Sequence, residues 1–501
     1  MTGVTGDVGG ALAAWAGILG PAAVVTGPEL AGYTANVNGY DRIVPAALRV
    51  RHRHQVPDVV AVARRHGVPL YPISTGHNWG LGSRLPVRDG AVVVDLAGMD
   101  RIVALDRGTA TVVVEPGVTQ GQLADHLGRE APELVANVTG SAAATSLVGN
   151  TVDRGIGYLA PRVDDLVGIE VVLGTGETVR TGEWPTAGGH HGPHWSHGAG
   201  PALEALFVQS NLGIVTAAAL RLRPRPAVTT AFRASVAGDG DGAGLLDALA
   251  VLHRDGVLTL PTRVFDGTWM HGSPHGPDPA WTAFGGLAGR PAVVGALEGE
   301  VRQALGPVAA TLELASVGRP GAPSPEPDPT DSSWWRSVLN TMAGRPTDLS
   351  VANWAARVDV DFTSEDPDDL DASDFGMTCD VRAVPFTGRD ASDVVAAARA
   401  ATHPHGLRPH VSLSALDAHT LEAVFILLFD RSSPARVAAA HAATSDLGRA
   451  LDKASVVPHR AGIDAIAQVV VPGDPYWAAL AGIKRVFDPD LVISPGRYSP
   501  L

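Results

Sequence analysis

Short apolar runs punctuated by glycine and proline fill the first 225 residues, and their period changes along the chain. Residues 11–19, ALAAWAGIL, predict a helix that Gly20-Pro21 ends. Residues 58–66 repeat at helical spacing and stop at Gly67, after which 68–73 reads as a buried strand. Three β-branched runs at 91–96, 102–105 and 111–114 predict strands separated by turns. A helix is expected at 122–127 and a hairpin over 165–180, turning at Gly174-Thr175-Gly176. A buried strand running to Leu222 closes this half, and Pro224 with Pro226 marks a boundary. The pattern is then mixed, with a proline-rich acidic connector at 320–331. Further on, strands are predicted at 377–386, 411–416 and 423–429, and helices at 390–400 and 434–451. That succession predicts an α+β sheet with its helices on one face.

A chain of 501 residues exceeds what one hydrophobic core usually serves, so two or more domains are expected. Net charge is -14 with no basic stripe, which argues against a nucleic-acid surface. The first basic residue is Arg42, so no positive n-region precedes an apolar run; no apolar run is long enough to span a bilayer. The expected location is cytoplasmic. Cys379 is the single cysteine, which leaves no intrachain disulfide and no cysteine metal cage. His190, His191, His194 and His197 invite a metal reading. Glu183 is the only acid among them and the segment is rich in glycine, so a polar surface loop is expected and no metal is assigned.

The first candidate chemistry lies just after the strand at 68–73, in PISTGHNWGLGSRLP. Gly76, Gly80 and Gly82, interleaved with Ser74, Thr75 and Asn78, can aim several N–H groups at one anion, as a pyrophosphate requires. The same spacing also describes ordinary turns. A second small-residue stretch runs from Thr139 through Gly140, Ser141 and Ser146 to Gly149 and Asn150. It suits either a planar ring lying on the backbone or a tight helix contact.

Taken in order with VEPGVTQGQL at 114–123, SLVGNTVDRGIGY at 146–158, LFVQSNLGIVT at 206–216 and FDPDLVISPGRY at 487–498, the loop resembles a known family. This is the vanillyl-alcohol oxidase and p-cresol methylhydroxylase family of FAD-dependent oxidoreductases, with its PCMH-type FAD-binding domain. The resemblance implies an FAD-binding domain at 1–225, with 486–501 folding back onto it, and a substrate or cap domain at 226–485. It implies cofactor contacts from Pro72, Ile73, Ser74, Thr75, Gly76, His77, Asn78, Leu81 and Gly82. Pro116, Gly140, Ser141, Ser146, Gly149, Asn150 and Gly157 follow along the chain. Gly213, Ile214 and Val215 would lie toward the adenine end, and Arg497 in the tail would reach the cofactor.

His77 falls where wider relatives bond a histidine to the flavin 8α-methyl, so a single covalent link through His77 is expected. The cap position used for attachment in the vanillyl-alcohol oxidase branch falls on Met377, which cannot serve. Phenol-oxidising members hold a phenolate with two tyrosines and an arginine. Here the corresponding positions are Leu81, His459 and Arg460, and the family's flavin-side aspartate falls near Ser141. A simple para-alkylphenol therefore fits poorly. Arg460 is expected to orient the substrate and His459 to take a proton.

The expected function is hydride transfer from a small aromatic or secondary-metabolite substrate to flavin N5. Dioxygen or an electron-acceptor protein would reoxidise the cofactor, in a chain that is a homodimer by family analogy. The alternative is a non-redox cyclase of secondary metabolism that keeps FAD as a scaffold.

Overall fold

A computed structural model describes residues 6–184, 193–198, 200–269, 280–318, 334–348, 354, 358 and 369–501. The N-terminal helix, Val8–Leu19, is capped by Asp7, whose carboxylate accepts from Gly10 N. It packs on Val56–His66 through Trp15, whose indole N–H donates to Val59 O. Gly67 ends the second helix in the left-handed conformation that a side chain would resist. The chain then enters a four-stranded sheet made of β1 (Val24–Val25), β2 (Ala47–Arg49), β3 (Leu70–Ile73) and β4 (Val92–Asp95), in the order β1-β2-β4-β3. Strand β4 runs parallel to both neighbours, so the glycine loop leaves the end of β3 beside a buried core.

The next seven strands are β5 (Ile102–Asp106), β6 (Thr111–Val114), β7 (Leu134–Val135), β8 (Leu166–Leu173), β9 (Thr178–Arg180), β10 (Gly213–Arg221) and β11 (Arg223–Pro224). Five of them form an antiparallel sheet in the order β5-β6-β10-β8-β9, and β7 pairs with β11. The hairpin turn between β8 and β9 lies where glycine spacing puts it, with Gly176 at φ 90°. The helices Gln120–Glu130 and Leu147–Val152 open on Thr119 and Ser146, whose hydroxyls accept from Gln122 N and Gly149 N.

After Pro224 comes an eight-stranded antiparallel sheet. Its strands are β12 (Val228–Val236), β13 (Leu260–Asp266), β14 (Trp281–Gly289), β15 (Thr311–Val317), β16 (Phe375–Pro385), β17 (His410–Ala415), β18 (Thr420–Asp430) and β19 (Val457–Arg460). They lie in the order β15-β12-β14-β13-β17-β18-β16-β19. Helices Gly242–Arg254, Pro291–Leu305, Gly388–Thr402 and Pro434–Lys453 cover one face, and Leu421, Ala423 and Phe425 of β18 meet them there. The alternate residues Glu422, Val424 and Ile426 point to the opposite face, as the two-residue period of a strand requires.

This is the α+β arrangement expected from the sequence, with two differences. The stretch 226–374, mixed in pattern, supplies half of the large sheet, because β14 carries Gly285 and Gly286 where Phe232 and Met342 press close and so reads poorly as a strand. The connector at 320–331 lies outside the described residues, as do His190 and His191. His194 pairs with Glu183 (3.0 Å), and no group of three metal-capable side chains occurs among the described residues.

Candidate active site

The tail returns to β3. The backbone bridges Leu70 to Ile493, and Leu70 N donates to Val492 O. A buried ion pair fixes this return: Lys484 and Asp488 are both inaccessible to solvent. The ammonium also donates to Asn211 O and Ile493 O, while Asp488 accepts from Val492 N and Ile493 N. Ser494 and Arg497 are thereby brought against the glycine loop.

Between loop, tail and the helix Leu147–Val152 lies a cavity of about 1030 Å³. Its walls include Pro72, Ile73, Ser74, Thr75, Gly76, His77, Asn78, Pro116, Ser146, Gly149, Asn150, Gly213, Val215 and Arg497. Gly76 stands at φ 80°, and the backbone N–H groups of Thr75, Gly76 and Asn78 meet no acceptor among the described residues. Such free donors in a glycine turn suit an anion. A Cβ on Gly149 would fall 2.2 Å from Ser74 Oγ, so only glycine allows the helix this close to the loop. The buried Oδ1 of Asn150 accepts no hydrogen bond from the protein.

A second cavity, of about 1140 Å³, adjoins the first beneath the eight-stranded sheet. His77, Asn78, Thr145, Asn150 and Arg460 line both. Its floor is the inward set of the sheet: Arg263 and Phe265 from β13, Met377, Cys379 and Val381 from β16, Ser412 and Ser414 from β17, and Glu422, Val424 and Ile426 from β18. Leu81, Gly140, Ser141, Tyr158 and Trp269 complete the walls.

The junction is tied by charge. Asp153 Oδ2 accepts from Arg460 Nη2 (2.6 Å) and Nε (3.2 Å), while its Oδ1 accepts from Arg497 Nη2 (2.8 Å). Arg460 Nη2 also donates to Asn78 Oδ1 (3.0 Å), and Arg497 Nη1 to the Tyr71 hydroxyl (2.9 Å). Across the loop, Asp371 accepts from Val37 N, the Ser83 hydroxyl and the Trp79 indole. Burial raises the Asp371 pKa against the pull of the Ser83 hydroxyl and the nearby Arg84, and His77 stacks on Trp79 at 4.8 Å.

The FAD binding domain model matches residues 44–182. A 1'-carboxy-chondrochloren decarboxylase of Chondromyces crocatus is 31% identical over 97% of this chain and 96% of its own. The 4-cresol dehydrogenase [hydroxylating] flavoprotein subunit of Pseudomonas putida is 34% identical over 46% of this chain and 44% of its own. Among solved structures, p-cresol methylhydroxylase with substrate bound aligns at a TM-score of 0.86 and 24% identity, covering 99% of this chain and 98% of that one. The chain belongs to the p-cresol methylhydroxylase family of FAD-dependent oxidoreductases.

Its cofactor is FAD. The first cavity suits that group: orphan backbone donors answer a pyrophosphate, and the bare Asn150 oxygen answers an N–H of a heterocycle. Six residues named from the sequence for the cofactor do not line the first cavity. Ile214 is inaccessible and packs in the core, because its neighbours Gly213 and Val215 take the cavity-facing parity of β10. Gly82 presses on Ile463 and Gly157 on Asn137, so both are packing glycines. Leu81, Gly140 and Ser141 line the second cavity and not the first.

His459 lines neither cavity: it is the extra residue of a β-bulge, with Arg460 opposite Val381 and Pro458 opposite Arg382, so simple strand alternation does not set its direction. Burial first, then Arg460 and Arg154, push the His459 pKa down to about 4, so its ring is neutral near pH 7. Its 3.8 Å approach to Glu422 is thus no ion pair. Arg460 is paired with Asp153 from the FAD side. Sequence reasoning passed over Asp153, Tyr71, Arg263 and Glu422. The last two carried a signal: each is a charge set among apolar residues inside a strand, LPTRVFD and TLEAVFILLFD.

Proposed function

We propose that this chain oxidises a small aromatic substrate lodged in the second cavity, passing a hydride to FAD held in the first. On this reading residues 1–225 with 486–501 hold the cofactor and 226–485 form the cap over the substrate. The observation that carries the proposal is the common wall of five residues, which lets two ligands meet without crossing solvent. FAD, when bound, supplies the two-electron acceptor. Arg460, oriented by Asp153 and Asn78, directs a charged edge to where the two ligands meet. Glu422 replaces His459 as proton acceptor: it faces the cavity, it is buried, and burial raises its pKa against the opposing pull of Arg460 and Arg263.

His77 is proposed as the covalent tether, consistent with its place on the glycine loop. The whole-length relative is a decarboxylase of a carboxylated compound by name, which supports a specialised metabolite over 4-cresol as substrate. The 4-cresol dehydrogenase relative is by name one subunit of an enzyme, which supports an electron-acceptor protein beside dioxygen as oxidant. The test is anaerobic mixing of the FAD-loaded protein with candidate aromatic substrates. Bleaching of the flavin absorbance at a rate matching turnover supports the proposal; turnover with the flavin permanently oxidised overturns it in favour of a scaffold role.

A further inference from the structure

We propose that the substrate is a carboxylic acid and that Arg263 is the group that receives its carboxylate. The inference rests on the second cavity being the substrate site. Arg263 enters that cavity from β13 with its guanidinium carbon 4.2 Å above the Tyr158 ring centroid. One nitrogen, Nη2, donates to Ile156 O and Gly157 O, both at 3.1 Å. Ring and carbonyls together fix the plane of the fork. Its Nε is buried without a hydrogen-bond partner, and no carboxylate of the described residues lies within 4 Å of the group.

A guanidinium cannot shed its proton at any working pH, so a sequestered one calls for an anion. The cavity does not supply it. Arg460, the other cation there, already has Asp153. Glu422 is the only carboxyl on the cavity floor, and it stands two strands from Arg263 through the register Arg263–Ser414–Glu422, about 10 Å at the backbone. Apart from the hydroxyls of Ser412 and Ser414, the rest of the floor is largely apolar and aromatic, with Phe265, Val424, Ile426 and Met377. The cavity is therefore cationic at one end and greasy along its length, the shape of an aromatic body carrying a carboxylate. With Nη2 engaged by the two carbonyls, Nε and Nη1 remain to donate to the oxygens of that group.

The test titrates the FAD-loaded protein with benzoate, phenylacetate and 3-phenylpropionate, each beside its neutral amide, following the flavin spectrum and heat of binding. At least one acid should bind tenfold or more tightly than its amide. In Arg263→Gln that ratio should fall to within twofold while the amide's affinity holds, and Arg263→Lys, which keeps charge but loses the fork, should fall between. If no acid outbinds its amide in the wild type, or the preference survives in Arg263→Gln, the assignment is wrong; the wild-type ratio decides even if a variant fails to fold. Amides that bleach the flavin where acids do not would sink the carboxylate and leave the oxidation reading standing. Acids that bind with the expected ratio yet never bleach it would support the receptor and sink the oxidation reading.

Discussion

Removing the Asp488 carboxylate tests how the tail is held. Asp488→Ala leaves the Lys484 ammonium with only the carbonyls of Asn211 and Ile493, in a site with no solvent access. Stripping one partner from a buried pair costs about 3–5 kcal/mol. The N–H groups of Val492 and Ile493 also lose their acceptor, at roughly 1–3 kcal/mol each. The sum, about 5–11 kcal/mol, rivals the total stability of an ordinary folded protein. The tail should undock, taking Ser494 and Arg497 away from the first cavity. Urea unfolding, read in parallel by tryptophan emission and by the visible circular dichroism of the bound flavin, should show the flavin's environment lost at a much lower denaturant concentration than in the wild type. The double variant Lys484→Met, Asp488→Asn should recover part of the loss, since the stranded cation is gone. A cost below about 1 kcal/mol for Asp488→Ala, typical of an exposed pair, would refute the reasoning.

Three further outcomes are expected. Under denaturing conditions the wild type should retain one FAD in its intact mass and His77→Ala should not; FAD released from the wild type would remove the tether. Glu422→Gln should slow flavin reduction by about 10²–10⁴-fold and abolish a limb that rises with pH. Because burial raises the Glu422 pKa in the folded state, the folded chain holds that proton more tightly than the unfolded one. Stability should then fall as pH climbs from the unfolded carboxylate value to the raised folded value, and Glu422→Gln should flatten that slope in melts run across pH. In the His77→Ala background, where FAD binds reversibly, Gly149→Ala should push the Ser74 hydroxyl into the first cavity and weaken FAD binding about tenfold, roughly 1.4 kcal/mol, by fluorescence titration. Unchanged affinity would mean that Ser74 turns aside freely.

What could be read from the sequence was local. The glycine loop after β3, the helix following Gly117 and the hairpin at Gly176 each depend on neighbours within a few positions, so their residues name them. The ties that build the site do not. Asp153 meets Arg460 from 307 positions away and Arg497 from 344, and nothing in NTVDRG marks it as a bridge between two arginines. His459 shows the opposite hazard: the pairing with Arg460 was visible, but the bulge at His459 was not, and only Arg460 lines the cavity. Ile214 is turned into the core by strand parity between Gly213 and Val215. Motif position says that a residue is near a site; the period of the strand decides whether it looks in.

The alternation along β18 has an evolutionary corollary. Point changes at Ser412, Val424 or Ile426 alter what the cavity admits while leaving Leu413, Phe425 and the helices behind them untouched. A deletion of one residue ahead of Glu422 would instead exchange the two sets, burying a carboxyl among the helices and turning Phe425 toward the substrate. Substrate range in this lineage should therefore drift by substitution within strands of conserved length, with insertions and deletions confined to the loops between them.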